Sequence, residues 1–319
     1  MKTLVCGASG LIGGNMVRYL KERGHVVIGV DIKEPSYGIG TIADDFFVGD
    51  LRDQGMWEYI LSKGPFDWCF QFAADMGGAG FVFTGDNDFD IMQNSAMINL
   101  NAASFISKTK TRLFYSSSAC VYPTESLSRP GITQFKESDA YPAMPDNDYG
   151  WEKLFSERMF LACEKNRGLD VRMARFHNVF GPNGTWKGGR EKFPAAICRK
   201  VAEAKDGDTI ELWGSGDALR SYLYIDDCLD AVYKLMDGPK IYENPINIGS
   251  DVSISVNDMA HMVMDIAGKK LNIKHIPGPV GVAARNSDNE MVEQLLGWKP
   301  ALTLKQGMER LYTWLSSQL

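Results

Sequence analysis

The chain has 319 residues, enough for about two domains at roughly 150 residues each. Its 45% hydrophobic and 23% charged residues are those of a globular protein that needs no disulfide or metal to hold a core. The charges, 34 basic against 40 acidic for a net −6, argue against a protein that coats nucleic acid or an anionic membrane. No apolar run approaches the roughly 18 residues of a spanning helix.

In chain order, Leu4–Cys6, Val26–Val30, Trp68–Phe72, Leu113–Tyr115 and Val171–Phe176 read as buried strands. Amphipathic stretches at Ile12–Glu22, Met56–Ser62, Ile91–Ser107 and Trp151–Lys165 read as the helices between them. Strand–helix alternation at this spacing predicts an α/β fold, a doubly wound parallel (Rossmann) sheet with right-handed crossovers. After residue 176 the texture changes. Gly181–Arg190 is a glycine-rich loop with no core pattern, and loops of that length inside a compact chain are usually functional. Short strands follow at Thr209–Trp213, Tyr222–Ile225, Pro245–Ile248 and Asn272–Ile276. Helices are expected near Asp226–Met236, Asn257–Ala267 and Leu304–Ser317. These predict a second, smaller, partly interleaved α/β substrate domain over the carboxyl ends of the main sheet, where ligands of open α/β sheets bind.

Because the chain reads as a strand from its first residues, no signal peptide is expected. The cysteines (Cys6, Cys69, Cys120, Cys163, Cys198, Cys228) lie 30 or more residues apart, and the four histidines show no ligand spacing. Neither a disulfide framework nor a metal site is expected, which points to the cytoplasm.

Gly7-Ala8-Ser9-Gly10-Leu11-Ile12-Gly13 follows the first strand and opens the first helix. Glycines there permit a tight turn and close backbone approach to a pyrophosphate, and the helix start supplies unpaired N–H groups. Asp31 ends the second strand about 20 residues on, placed to bind ribose hydroxyls and repel a 2′-phosphate, so NAD is expected over NADP, with Lys33 nearby keeping NADP as the alternative. Asp50 and Leu51 follow a third strand-like run and are candidates for adenine contact.

Ser116-Ser117-Ser118 follows the strand at Leu113–Tyr115, and Tyr149 and Lys153 share one face of a predicted helix. A free tyrosine, with a pKa near 10, is a poor base at neutral pH. An adjacent ammonium lowers that value and a serine hydroxyl shares the proton, so the three together suit alcohol oxidation by NAD. Tyr59 and Lys63 have the same spacing, so the pair alone says little. Position distinguishes Tyr149, downstream of a strand that ends in three hydroxyls.

Gly7, Gly10, Gly13, Asp31, Ser118, Tyr149 and Lys153 together resemble the extended short-chain dehydrogenase/reductase superfamily, the NAD-dependent epimerases and dehydratases of nucleotide sugars, along essentially the whole chain. Arg175–Pro182 and Arg220-Ser221-Tyr222 resemble its nucleotide-sugar-binding segments. Sugar-nucleotide 4,6-dehydratases carry an Asp-Glu pair after the hydroxyl residue, where this chain has Ala119-Cys120. Ala73–Phe81, Lys136–Pro142, Gly184–Lys192 and Arg285–Asn289 closely resemble the family of GDP-mannose 3,5-epimerases. Tyr141, where that family usually has tryptophan, Asn183, where phenylalanine is common, and an acidic Thr84–Asp90 depart from its pattern.

The resemblance implies an isomerase in which C4 is transiently oxidised by bound NAD and C5 and C3 are inverted by Cys120 and Lys192 as an acid–base pair. Re-reduction gives GDP-L-galactose, with GDP-L-gulose from single inversion. Which of the two residues is base stays open. An epimerase of another nucleotide sugar, such as a GDP-heptose, is the alternative, and a non-catalytic NAD-binding regulatory protein is a further one. The expected cofactor residues are Gly7, Gly10, Leu11, Ile12, Gly13, Asp31, Asp50, Leu51, Ala73, Tyr149 and Lys153. The expected substrate residues are Gly78, Ser118, Asn178, Glu191, Lys192, Lys200, Arg220 and Arg285, the two arginines on the pyrophosphate. Residues 1–176 with about 222–260 would bind NAD, and about 177–221 with 261–319 the GDP-sugar. A homodimer with no nucleic-acid or membrane partner is expected.

Overall fold

The computed structural model describes residues 1–319 apart from 38–41, 124–133, 241, 243–244 and 280. The five long apolar runs become strands of one seven-stranded sheet. In spatial order it runs Ile246–Ile248, Val171–Phe176, Arg112–Ser118, Trp68–Gln71, Lys2–Cys6, Val26–Asp31, Asp45–Val48, and every neighbouring pair is parallel. Parallel strands are covered on both faces, which is why they read as unbroken apolar runs without alternation. Val171–Phe176 is buried at every position.

The chain builds outward from Lys2–Cys6 and then returns to that strand's other side with Trp68–Gln71. Strand order therefore reverses between them, and a crevice forms at their carboxyl ends. Gly7 follows one of these strands and Ala73 the other. Ile246–Ile248, one of the later short strands, extends the main sheet beside Val171–Phe176.

The remaining strands form a four-stranded sheet, in the order Ser253–Ser255, Leu219–Ser221, Ala284–Ser287, Gln134–Phe135, and two two-stranded pairs. Gln134–Phe135, Ser253–Ser255 and Ala284–Ser287 carry no alternating apolar pattern, and their pairing comes from distant partners. Helix Asp148–Arg167 is stopped and started by local chemistry. Asn147 caps it by accepting from Gly150 N–H at 2.8 Å, and Gly168, at φ +71°, ends it in the left-handed conformation. It packs along helix Asp88–Ile106. The loop from Gly181 to Lys192 contains no helix or strand, and Lys192 is the N-cap of helix Phe193–Glu203, which has proline in its first turn.

Candidate active site

The cofactor end is a cradle that side chains would fill. Gly7 lies at φ +79°, and a Cβ there would stand 2.8 Å from the Ala73 nitrogen; a Cβ at Gly13 would stand 2.1 Å from the Gly7 carbonyl oxygen. Glycine alone lets strand, loop and helix approach this closely. Gly10, the N-cap of helix Leu11–Lys21, brings no capping side chain, so the amides of the first turn keep their capacity for an anion. A cleft of about 540 Å³ opens here, and the nine cofactor residues expected outside the Tyr149/Lys153 pair all line it.

Asp31 accepts from Ser9 N–H (2.9 Å) and Lys33 N–H (3.2 Å). Burial raises its pKa and these bonds oppose the rise. Arg52 clamps Asp50 through Nε, at 3.0 and 2.9 Å, and Nη2, at 2.6 Å, which holds that carboxyl below its ordinary range. A polar chain continues from Arg52 to Asn94 (2.6 Å), from Asn94 to Asp75 (2.9 Å) and from Arg190 to Asp75 (2.9 Å). It ties the Asp50 turn to the glycine-rich loop. A glycine cradle, helix-terminal amides and a carboxylate at the second strand's end fit a dinucleotide.

At the other end of the crevice, strand Arg112–Ser118 runs into a single 3-10 turn, Ala119–Val121, capped by Ser118 Oγ accepting from Cys120 N–H at 3.2 Å. Helix Asp148–Arg167 seats on this turn through Gly150, where a Cβ would stand 2.1 Å from the Cys120 carbonyl oxygen. The seat brings Tyr149 close enough to Ser118 for the serine hydroxyl to act on the phenol. Lys153 Nζ donates to the Ser116 carbonyl at 3.1 Å and lies 5.6 Å from the Tyr149 ring centroid. The expected lowering of the phenol by the ammonium is not the dominant effect. Burial pushes Tyr149 well up, Cys120 adds to the rise and Ser118 opposes it, while burial pulls Lys153 down. Tyr59, by contrast, is exposed, with Lys63 Nζ 4.5 Å from its ring; that pair is a surface cation–π contact.

Cys120 is 7% exposed and packs with Tyr149, Phe81, Val82 and Ile91 in one apolar cluster. Its sulfur accepts from Arg285 Nη2 at 3.4 Å, while Arg285 Nη1 reaches the Ala119 carbonyl at 3.3 Å and Asp146 at 3.4 Å. Lys192 lines the cleft from the glycine-rich loop. Burial lowers its pKa, and it lies near enough for the charge of Cys120 to act on it. Gly78 fixes this loop's approach: its N–H donates to the Arg190 carbonyl at 3.1 Å, and a Cβ on it would stand 2.2 Å from the Glu191 carbonyl oxygen.

The other expected substrate residues lie at varied distances from this centre. Asn178, at φ +46°, donates to the Ser221 carbonyl at 2.9 Å. Glu191 accepts from Gly189 N–H at 2.6 Å and Arg199 at 3.4 Å. Arg220 donates to the Leu219 carbonyl at 2.7 Å, and burial with repulsion from Arg285 pulls its pKa down to about 10. Lys200 donates to the Glu211 carbonyl at 2.5 Å, on the strand Thr209–Trp213, and is not brought to the Tyr149–Cys120 cluster. Gly150, Asp146 and Phe81 are site-building residues that sequence reasoning missed. Only Gly150 left a signal, as a glycine immediately after the helix-borne tyrosine.

The profile of the NAD dependent epimerase/dehydratase family matches residues 3–249. The chain belongs to that family, and NAD is its cofactor. It is similar to the GDP-mannose 3,5-epimerase of Arabidopsis thaliana, with 42% identity over all of this chain and 83% of that protein. It is similar also to GDP-mannose 3,5-epimerase 1 of Oryza sativa subsp. indica, with 41% identity over all of this chain and 82% of that one. Among solved structures, UDP-glucose 4-epimerase of Thermotoga maritima superposes with a TM-score of 0.87 at 23% identity, covering 100% of this chain and 99% of that one. UDP-glucuronic acid 4-epimerase of Bacillus cereus, solved with UDP-glucuronic acid and NAD, superposes at 0.85 with 22% identity over both full chains. The fold is thus that of the NAD-dependent sugar-nucleotide epimerases.

Proposed function

We propose that this chain epimerises GDP-mannose at C3 and C5, giving GDP-L-galactose and, by single inversion at C5, GDP-L-gulose. The observation that carries this reading is Cys120, a thiol set one turn from the Ser118–Tyr149 hydroxyl pair and within electrostatic reach of Lys192. A 4-epimerase has no use for that second acid–base pair. The 41–42% identity to GDP-mannose 3,5-epimerases supports the same substrate.

Bound NAD would supply a reversible hydride acceptor for C4, held by Gly7, Gly10, Gly13, Asp31 and Asp50. Tyr149 takes the proton of the C4 hydroxyl, with Ser118 and Arg285 opposing the rise that burial imposes on the phenol and Lys153 standing beside its ring. A ketone at C4 makes the C5 and C3 hydrogens acidic, since each carbanion is an enolate. Cys120 and Lys192 then remove and deliver protons at those carbons. The Phe81–Val82 cover over Cys120 and Tyr149 keeps water from protonating the enolate unselectively. Residues 1–176 with about 222–260 form the NAD-binding part and about 177–221 with 261–319 the GDP-sugar part. Arg220 would hold the pyrophosphate, with Asn178, Glu191 and Lys200 as its neighbours on the sugar-nucleotide side.

The reading includes a cytoplasmic homodimer. Helices Asp88–Ile106 and Asp148–Arg167 together expose Phe89, Met92, Met97, Leu100, Trp151 and Phe155, an apolar face suited to a second copy. Light scattering on the eluting protein distinguishes about twice the 35.4 kDa chain mass from a monomer. The activity is tested by incubating the NAD-loaded protein with GDP-mannose and resolving products by NMR. New signals of the galacto and gulo epimers are expected, whereas a C4 epimer alone would overturn the assignment.

A further inference from the structure

The environment of Cys120 holds a charge that the acid–base scheme above does not use. Arg285, on the strand Ala284–Ser287, is 6% exposed. Its guanidinium is gripped on one side by Asp146, at 3.4 Å, and by the Ala119 carbonyl, at 3.3 Å; its Nη2 donates to the Cys120 sulfur at 3.4 Å. The Asp146 and Arg285 side chains are 6% and 7% exposed, so water screens this pair little. A buried guanidinium bonded to a sulfur stabilises that sulfur as thiolate, the form that exchanges protons with carbon. Sequence reasoning placed Arg285 on the substrate pyrophosphate. That role uses the guanidinium's charge and paired N–H groups on phosphate oxygens and gives no reason for a bond to sulfur.

We propose that Arg285, oriented by Asp146, is the counter-ion of a Cys120 thiolate and acts as a positioning residue for the epimerising thiol. The inference deepens the function proposed above and rests on Cys120 being its acid–base group. The other groups around Cys120 fit the assignment. Tyr149 and Lys153 reach it from helix Asp148–Arg167, Lys192 from the glycine-rich loop and Arg220 from the strand Leu219–Ser221. Glu152 stands behind Lys153, and Asp146 stands on the far side of Arg285. Lys153, Lys192 and Arg220 act on the thiol as cations, Tyr149 faces it as a group that ionises to an anion, and the remaining facing surface (Phe81, Val82, Ile91) is apolar. Arg285 is the cation bonded to the sulfur atom itself. Its Nε has no hydrogen-bond partner, so the same guanidinium keeps an edge for a ligand while its Nη2 holds the thiolate.

The test reads the thiol without substrate. NAD-loaded protein carrying cysteine labelled with carbon-13 at Cβ is titrated by NMR, with the Cys120 signal assigned from Cys120→Ala. The wild type is compared with Arg285→Gln, Arg285→Met and Arg285→Lys; two neutral variants are used so that a folding failure of one leaves the other. The expected result is a Cys120 midpoint at least one pH unit higher in either neutral variant, largely restored toward the wild-type value in Arg285→Lys. A midpoint that stays within a few tenths of a unit when the charge is removed overturns the proposal, and leaves Arg285 a pyrophosphate or packing residue. A failure of the GDP-mannose assignment leaves this titration unaffected, so the two ideas fail separately.

Discussion

Gly150→Ala perturbs the one contact that seats the Tyr149 helix on the Cys120 turn. The new Cβ would stand 2.1 Å from the Cys120 carbonyl oxygen and 2.9 Å from both the Cys120 carbonyl carbon and Pro145 Cβ. Two of these neighbours are backbone, so no rotamer change relieves the overlap. Restoring an ordinary contact of 3.4 Å requires helix and turn to part by about 1.3 Å. Overpacking of this kind costs about 1–3 kcal/mol, offset in part by up to about 1 kcal/mol of better helix propensity. The fold therefore survives with a slightly lower Tm. NAD binding falls less than turnover, because neither Gly150 nor Cys120 lines the cofactor cleft and the glycine cradle is untouched, although Tyr149 and Lys153 ride on the displaced helix. Catalysis does not persist: a displacement near 1 Å between Tyr149 and Ser118 lowers turnover by about 100-fold. The assay is kcat on GDP-mannose alongside NAD content and thermal unfolding. Unchanged turnover with a raised Tm would show that the Gly150 seat does not position Tyr149.

Three further outcomes follow from the same geometry. Cys120→Ala should lower deuterium incorporation at C3 and C5 by about 100- to 10,000-fold, the usual weight of a general acid or base. The same variant should still oxidise C4, seen as transient absorbance of reduced cofactor. Asp31→Ala removes a buried carboxylate at the ribose position; loss of charge-assisted hydrogen bonds at about 1.5–3 kcal/mol should weaken NAD about ten- to hundredfold and narrow its advantage over NADP, measured by calorimetry. His177 is buried with its Nε2 on Asn247 at 3.1 Å, and burial lowers its pKa from 6.5 to about 3. The unfolded chain takes up a proton below 6.5 that the folded chain refuses until about 3, so acid favours unfolding across that window. Denaturant titrations should show stability falling by about 1.4 kcal/mol per pH unit from this group, a component absent in His177→Gln.

The main sheet was legible because parallel strands buried on both faces read as unbroken apolar runs, and Val171–Phe176 is the clearest of them. The cofactor cradle was legible because backbone contact requires glycine at positions 7 and 13, whatever the rest of the chain does. The Tyr149/Lys153 pair could be told from Tyr59/Lys63 by its place after a strand ending in hydroxyls. Other features were not legible from local sequence. Ala284–Ser287 is a strand because Leu219–Ser221 and Gln134–Phe135 flank it, partners far away in the chain. The bond from Arg285 to Cys120 spans 165 residues, and no local pattern announces it. Asp146, which grips that arginine, sits in a loop whose composition marks only a turn. The electrostatic balance at Tyr149 was misjudged for a related reason: spacing on a helix reveals a neighbouring lysine, but not how far both groups are buried.

The most direct test of 3,5-epimerisation is to run the NAD-loaded protein with GDP-mannose in D₂O and read the label by NMR and mass spectrometry. Solvent protons exchanged through Cys120 and Lys192 should place deuterium at C5 and C3 of the epimers, while hydride returned within the site leaves C4 unlabelled. Turnover with C3 and C5 free of deuterium, or with deuterium at C4, would contradict it.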